Sequence, residues 1–116
     1  MIYIGIDPGM KGAVAAIDGS GEVVLCTDVP TIPNGKGQEY NISAMSDMII
    51  SAGGKGQQPY GQVFATLERA QAMPKQGVSS MFNFGRGYGI WLGILGALGI
   101  RYQTARPVAW VNTVLK

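Results

Sequence analysis

The sequence predicts an α/β domain on a mixed five-stranded sheet. Strands 1–3 form an antiparallel meander, strands 4 and 5 are parallel, and helices flank the sheet. Three observations carry this. Ile2, Ile4 and Ile6 alternate with Tyr3, Gly5 and Asp7, the two-residue period of a half-buried strand. Short connections join the first three apolar runs, which makes them antiparallel neighbours. A helix-like segment then precedes the fourth run, so that strand returns beside the first in parallel.

The elements follow in order. The first strand covers about Ile2 to Asp7, and Pro8-Gly9 breaks it. The second runs from about Gly12 to Ile17, and Asp18-Gly19-Ser20-Gly21 is a turn cluster. Glu22 to Val29 is the third strand. Pro30 to Asn41 is polar and contains Pro and Gly, which predicts a surface loop. Asn41 or Ser43 caps a helix to about Ala52, with Ile42, Met45, Met48 and Ile49 at helical spacing. Gly53 to Gly61 is a loop. Its Gly-Gly-Lys-Gly lacks the Gly spacing and the Ser/Thr of a P-loop, which argues against a small-molecule nucleotide cofactor.

Gln62 to Glu68 is the fourth strand, with Val63, Ala65 and Leu67 on one face and Phe64, Thr66 and Glu68 on the other. Ala70 to Val78 is a loop, and Ser79 or Ser80 starts a helix ending near Gly99. Gly85, Gly89 and Gly93 fall every four residues, a smooth stripe for close approach to the sheet. Trp91 reads as core or as a dimer contact. Ile100 to Ala105 is the fifth strand. Arg106-Pro107 opens a last helix, which Trp110 packs and which is incomplete at Lys116.

Composition bounds the function. The 116 residues make one domain with a modest core, and 47% hydrophobic with 14% charged residues is globular. The one cysteine, Cys26, cannot form an internal disulfide, and its valine-rich setting reads as a small buried apolar residue. With no histidine, the usual general base, the usual zinc ligand and any Ser-His triad are excluded. An apolar strand pattern begins at once without a basic leader, and the run Ile90 to Ile100 is short of the roughly 20 residues a membrane helix needs. The expectation is a soluble cytoplasmic protein with no membrane partner. Charge is divided: residues 1–68 hold all seven acids and three bases, and residues 69–116 hold six bases and no acid. A purely basic half suits a polyanion, or belongs to a longer chain whose acids lie further on.

Two carboxylates stand out. Asp7 ends the first strand and Glu68 the fourth, so parallel neighbours bring both to the carboxyl end of the sheet. Two adjacent carboxylates repel, and ionising both calls for a cation. Without His or a second Cys the ligands are hard oxygens, which selects Mg²⁺ or Mn²⁺. The alternative is that Glu68 pairs with Arg69 or a nearby lysine. Lys11 either contacts a phosphate or is a solvated turn lysine. Arg69, Lys75 and Arg86 flank the following loop with Phe82 and Phe84 among them, a pattern that suits nucleic-acid backbones and exposed bases. At least one of those phenylalanines reads equally as core. Gln76 and Ser80 either hydrogen-bond phosphates or solvate the loop.

Ile4-Gly5-Ile6-Asp7-Pro8-Gly9 followed by Gly12-Ala13 resembles the first motif of the RuvC-type Holliday-junction resolvases in the ribonuclease H-like superfamily. Actin-like ATPases and sugar kinases share its Gly-Ile-Asp-x-Gly. Leu67-Glu68-Arg69, Ala72 to Ser80 and Phe82-Asn83-Phe84-Gly85 are similar to the phage and prophage branch of the resolvases. Pro107-Val108-Ala109-Trp110 matches a signature opening that branch's last region. The resemblance implies a ribonuclease H-like fold and a metal-dependent endonuclease cutting branched DNA, above all four-way junctions, as a homodimer in a bacterial host cell. It makes Asp7 and Glu68 catalytic metal ligands for Mg²⁺ or Mn²⁺. It brings the loop after Glu68 to the junction strands, and the residues read above as DNA-binding candidates are Lys11, Arg69, Lys75, Gln76, Ser80, Phe82 and Arg86. The family's remaining acidic ligands come from a C-terminal helix, and no Asp or Glu follows Glu68 here. Residues 1–116 are therefore expected to be a nuclease domain lacking that helix, with weak or no activity. The other expectations are a non-catalytic junction-binding module, an actin-like ATPase fragment, for which 116 residues are too few, and a structural or assembly protein.

Overall fold

The computed structural model describes residues 1–53, 62–69 and 77–106, with the side chain of Ser80 excepted. Its five-stranded sheet is built from β1 (Ile2–Ile6), β2 (Ala13–Ile17), β3 (Val23–Asp28), β6 (Val63–Glu68) and β7 (Arg101–Ala105) in the order β3-β2-β1-β6-β7. The remaining strands, β4 (Thr31–Asn34) and β5 (Gly37–Tyr40), form a separate antiparallel hairpin. Two helices, α1 (Ile42–Ala52) and α2 (Val78–Leu98), complete the described elements. The meander pairs antiparallel, while β1–β6 and β6–β7 pair parallel, as the sequence predicts.

Register explains the core. Ile4 lies beside Ala16 and Ala65, and Ile6 beside Val14 and Leu67. These partners share one face of the pleat, and all six are buried. Met45 and Ile49 of α1 and Trp91, Ile94 and Leu95 of α2 belong to the same core. Asn41 caps α1, its side chain accepting from the Ala44 N–H at 3.1 Å, so Asn41 rather than Ser43 is the cap.

Four expectations are corrected. The polar stretch Pro30 to Asn41 contains the β4–β5 hairpin, turned around Asn34-Gly35, with Gly35 at φ 62°. Pro33 is tolerated because a two-stranded hairpin leaves half of each strand's backbone unpaired. Neither Ser79 nor Ser80 caps α2. Gly77 occupies that position and makes no side-chain cap bond. The Gly85, Gly89 and Gly93 stripe faces away from the sheet, with no atom of the described residues near the place a Cβ would take. The opposite side of the helix, with Trp91, Ile94 and Leu95, has far more apolar area to bury, so it turns inward. Cys26 is exposed rather than buried. It lies on the edge strand β3 beside Ala15, on the face of the sheet opposite the core.

Trp91 is fully buried, as core. Its indole N–H is a buried donor without a partner among the described residues. Helix α2 ends at Gly99, whose φ of 71° is left-handed, and Ile100 N–H returns to Leu95 O at 3.0 Å. The last helix, from Arg106-Pro107 with Trp110, lies outside the described residues, as does most of the Gly53–Gly61 loop.

Candidate functional site

Strand β1 is central, so the chain leaving it carries Asp7 to the middle of the sheet's carboxyl edge. The parallel register ends at Ile6 beside Leu67, which makes Asp7 and Glu68 the next pair along. Both acids extend the face opposite the Ile4, Ile6 and Leu67 row, as alternation requires. The turn after Asp7 is tightly tied. Asp7 N–H bonds Ala13 O at 2.9 Å, Gly12 N–H bonds Gly9 O at 2.9 Å, and Val29 N–H bonds Gly12 O at 3.0 Å. The Asp7 Oδ1 receives Gly9 N–H at 3.5 Å, a long contact that leaves the carboxylate available.

Burial and the negative charge of Asp7 hold the Glu68 carboxyl above its usual range. A carboxyl whose folded value is raised contributes stability below its unfolded value and loses it as pH rises through the folded one. Ionised Glu68 therefore costs stability near neutrality in the absence of a cation. Glu68→Gln is expected to raise Tm at pH 7 in chelator, and the gain should vanish below about pH 4, the ordinary glutamate range. Thermal melts across that interval measure it, and a pH-independent Tm difference would contradict it.

A cleft of about 440 Å³ opens beside Asp7. Gly9, Met10, Lys11 and Gly12 of the first turn, Tyr40 at the end of β5, and Asn83 and Phe84 of α2 line it with Asp7. Lys11 is exposed at this opening. Arg69 is exposed just past Glu68, held by its N–H to Ala105 O at 2.7 Å and by its guanidinium to Thr104 Oγ1 at 3.4 Å. Phe82 is 67% exposed on the first turns of α2, whereas Phe84 is part-buried beside Gly9. Arg86 is engaged within the protein, ion-paired to Glu39 with its guanidinium carbon 5.8 Å from the Tyr40 ring centre. The structure sets Asp7 beside Glu68, with Lys11 in the Asp7 cleft and Arg69 next along the chain from Glu68; Lys75, Gln76 and the side chain of Ser80 lie outside the described residues.

Sequence reasoning missed Tyr40 and Glu39 because both sit in a stretch whose composition predicts a loop. The signal was Asn34-Gly35, a strong hairpin dipeptide, which would have made Glu39 and Tyr40 strand residues. Among the described residues no three of His, Cys, Asp and Glu come together, so Asp7 and Glu68 are a pair without a third acid there. The donor set fits one hard divalent cation: the two carboxylates would supply oxygen ligands, and waters or substrate phosphates would supply the others.

A mixed sheet with a central parallel pair, an antiparallel meander on one side and acids at the carboxyl end has the ribonuclease H-like topology. The fold is that of RuvC. The chain is similar to RuvC of T. thermophilus in complex with a Holliday junction substrate, with a TM-score of 0.68 and 15% identity over 98% of this chain and 69% of that one. A second Thermus thermophilus RuvC structure matches at TM-score 0.61 and 18% identity, over 99% of this chain and 69% of that one. No family model matches the sequence, and no curated protein matches it. No helix among the described residues is long and apolar enough to cross a membrane.

Proposed function

We propose that this chain is the nuclease domain of a structure-selective endodeoxyribonuclease that hydrolyses phosphodiesters in branched DNA, with four-way junctions as its substrate. The observation that carries this is the Asp7–Glu68 pair at the carboxyl end of adjacent parallel strands in a RuvC fold. Asp7 and Glu68 would hold Mg²⁺ or Mn²⁺. Such an ion supplies, when bound, activation of a water and stabilisation of the leaving oxygen. The chain's own residues do the rest. Lys11 and Arg69 meet phosphates on either side of the acids, and exposed Phe82 offers a ring to an unpaired base. Lys75, Gln76 and Ser80 belong to the same DNA-binding set through the resemblance of their motif. The resemblance of the motif from Ala72 to Ser80 supports the phage and prophage branch, whose members usually act as homodimers, and with it a place alongside DNA in a bacterial host cell.

A second reading is a junction-binding module without catalysis. What favours it is that no third acid joins Asp7 and Glu68 among the described residues. One experiment separates the two. Labelled four-way junction and linear duplex of equal length are incubated with the protein at 50 and 200 mM salt, with and without Mn²⁺. Junction-selective binding that weakens by about 10-fold or more across that salt range is expected, because only a few phosphates are neutralised. Mn²⁺-dependent cuts establish the nuclease, and binding without cuts establishes the module. Equal affinity for duplex and junction sinks both.

A further inference from the structure

The β4–β5 hairpin stands apart from the main sheet, yet its last residue is buried. Tyr40 is 2% exposed. Its hydroxyl lies 2.9 Å from the backbone O of Asn83 in α2 and 3.3 Å from the backbone O of Pro8, the residue after Asp7. A phenol has one proton, so the shorter Asn83 contact takes its larger share and Pro8 O completes a three-centre bond. Gly87 makes this approach possible. A Cβ there would strike the Tyr40 hydroxyl and come within 2.5 Å of Pro8 O. Arg86, ion-paired to Glu39, lies over the ring.

Two segments that are remote in sequence are thus tied to the Asp7 turn through one hydroxyl. The turn has its own backbone bonds to β2 and to Val29, but among the described residues only Tyr40 bonds it to α2. We infer that Tyr40 is a positioning residue: by tethering Pro8 to Asn83 it fixes the direction in which Asp7 meets a divalent cation beside Glu68. The cation clause rests on the reading of Asp7 and Glu68 proposed above. The tether does not, since it is a matter of the turn's own order.

The test uses Tyr40→Phe, which keeps the ring and removes only the oxygen. Arg86→Met serves as a second variant that keeps the hydroxyl but frees the ring. Mn²⁺ affinity is measured by calorimetry on the full chain, and amide exchange is followed residue by residue in metal-free buffer. Tyr40→Phe is expected to weaken Mn²⁺ by about 10-fold, the usual loss when a supporting hydrogen bond to a metal ligand's segment is removed. Exchange at Gly9, Met10, Lys11 and Gly12 should accelerate by a similar factor while β2, β3 and α1 exchange as before. Arg86→Met should move both readouts in the same direction by less. A purely structural tyrosine would instead speed exchange across the whole domain and leave Mn²⁺ affinity unchanged, and that result overturns the inference. Wild-type protein that binds no Mn²⁺ removes the proposed metal site and the cation clause with it. The exchange pattern then decides the tether alone.

Discussion

Asp7→Asn is expected to weaken Mn²⁺ binding by about 100-fold or more and to abolish any cation-dependent cleavage of a four-way junction. Loss of a supporting contact costs a metal site roughly 10–100-fold, and loss of a charged ligand costs at least the upper part of that range. Asn keeps the shape of Asp and one oxygen acceptor for Gly9 N–H, so the turn should survive. What disappears is half of the negative charge at the strand ends. The same substitution should relieve Glu68, whose raised carboxyl value owes its second contribution to the Asp7 charge. Junction binding should stay within about two-fold at moderate salt, because Lys11, Arg69 and the basic half are untouched and removing a negative charge does not hinder a phosphate. Calorimetry with Mn²⁺ and a gel-shift series measure the two effects separately. Unchanged Mn²⁺ affinity in Asp7→Asn takes this residue out of any metal site, whatever happens to DNA binding.

The acids were legible because they depend on short-range pattern. Alternation of Ile2, Ile4 and Ile6 turns Asp7 away from the core, and alternation of Val63, Ala65 and Leu67 does the same for Glu68. Their adjacency needed one long-range step, a parallel return after a helix, and chain-order rules restrict that step strongly. The Tyr40 tether had no such local signature. Four-residue strands around a Pro give too few positions for a period to show, and the burial of Tyr40 is created by α2 passing over it at Gly87. The glycine stripe failed for a related reason. Its spacing says that those positions share a helix face, but which face turns inward depends on the apolar area opposite, and Trp91 with Leu95 wins. Cys26 shows the limit of composition: valine neighbours predict a strand correctly, but the strand lies at the sheet's edge with one side open. The most specific part of the resemblance, Ala72 to Gln76, lies outside the described residues and carries no geometry.

Gly12→Ala should be the most damaging single-methyl change in the site. A Cβ at Gly12 would overlap the carbonyl oxygen of Asp7 and stand 2.9 Å from that of Gly9. Both obstacles are backbone, so no side chain can swing aside. Nor can the turn move freely, since Asp7, Gly12 and Val29 N–H groups each bind across it at 2.9–3.0 Å. The clash must be relieved by breaking part of that network, at about 3 kcal/mol, the upper end of what overpacking usually costs. For a domain near this size that is a fall in Tm of roughly 10–20 °C. Relief also displaces the Asp7 carbonyl, so Mn²⁺ affinity should fall along with stability. Gly89→Ala is the natural contrast. Gly89 lies exposed in the interior of α2, with no atom of the described residues near the place a methyl would take. Alanine there should stabilise by about 0.5–1 kcal/mol through helix propensity alone. Thermal melts of the two variants thus test opposite signs for the same chemical change. Equal Tm shifts in both would mean that the first turn yields more easily than its hydrogen bonds allow, and that Asp7 is held less firmly than its proposed role requires.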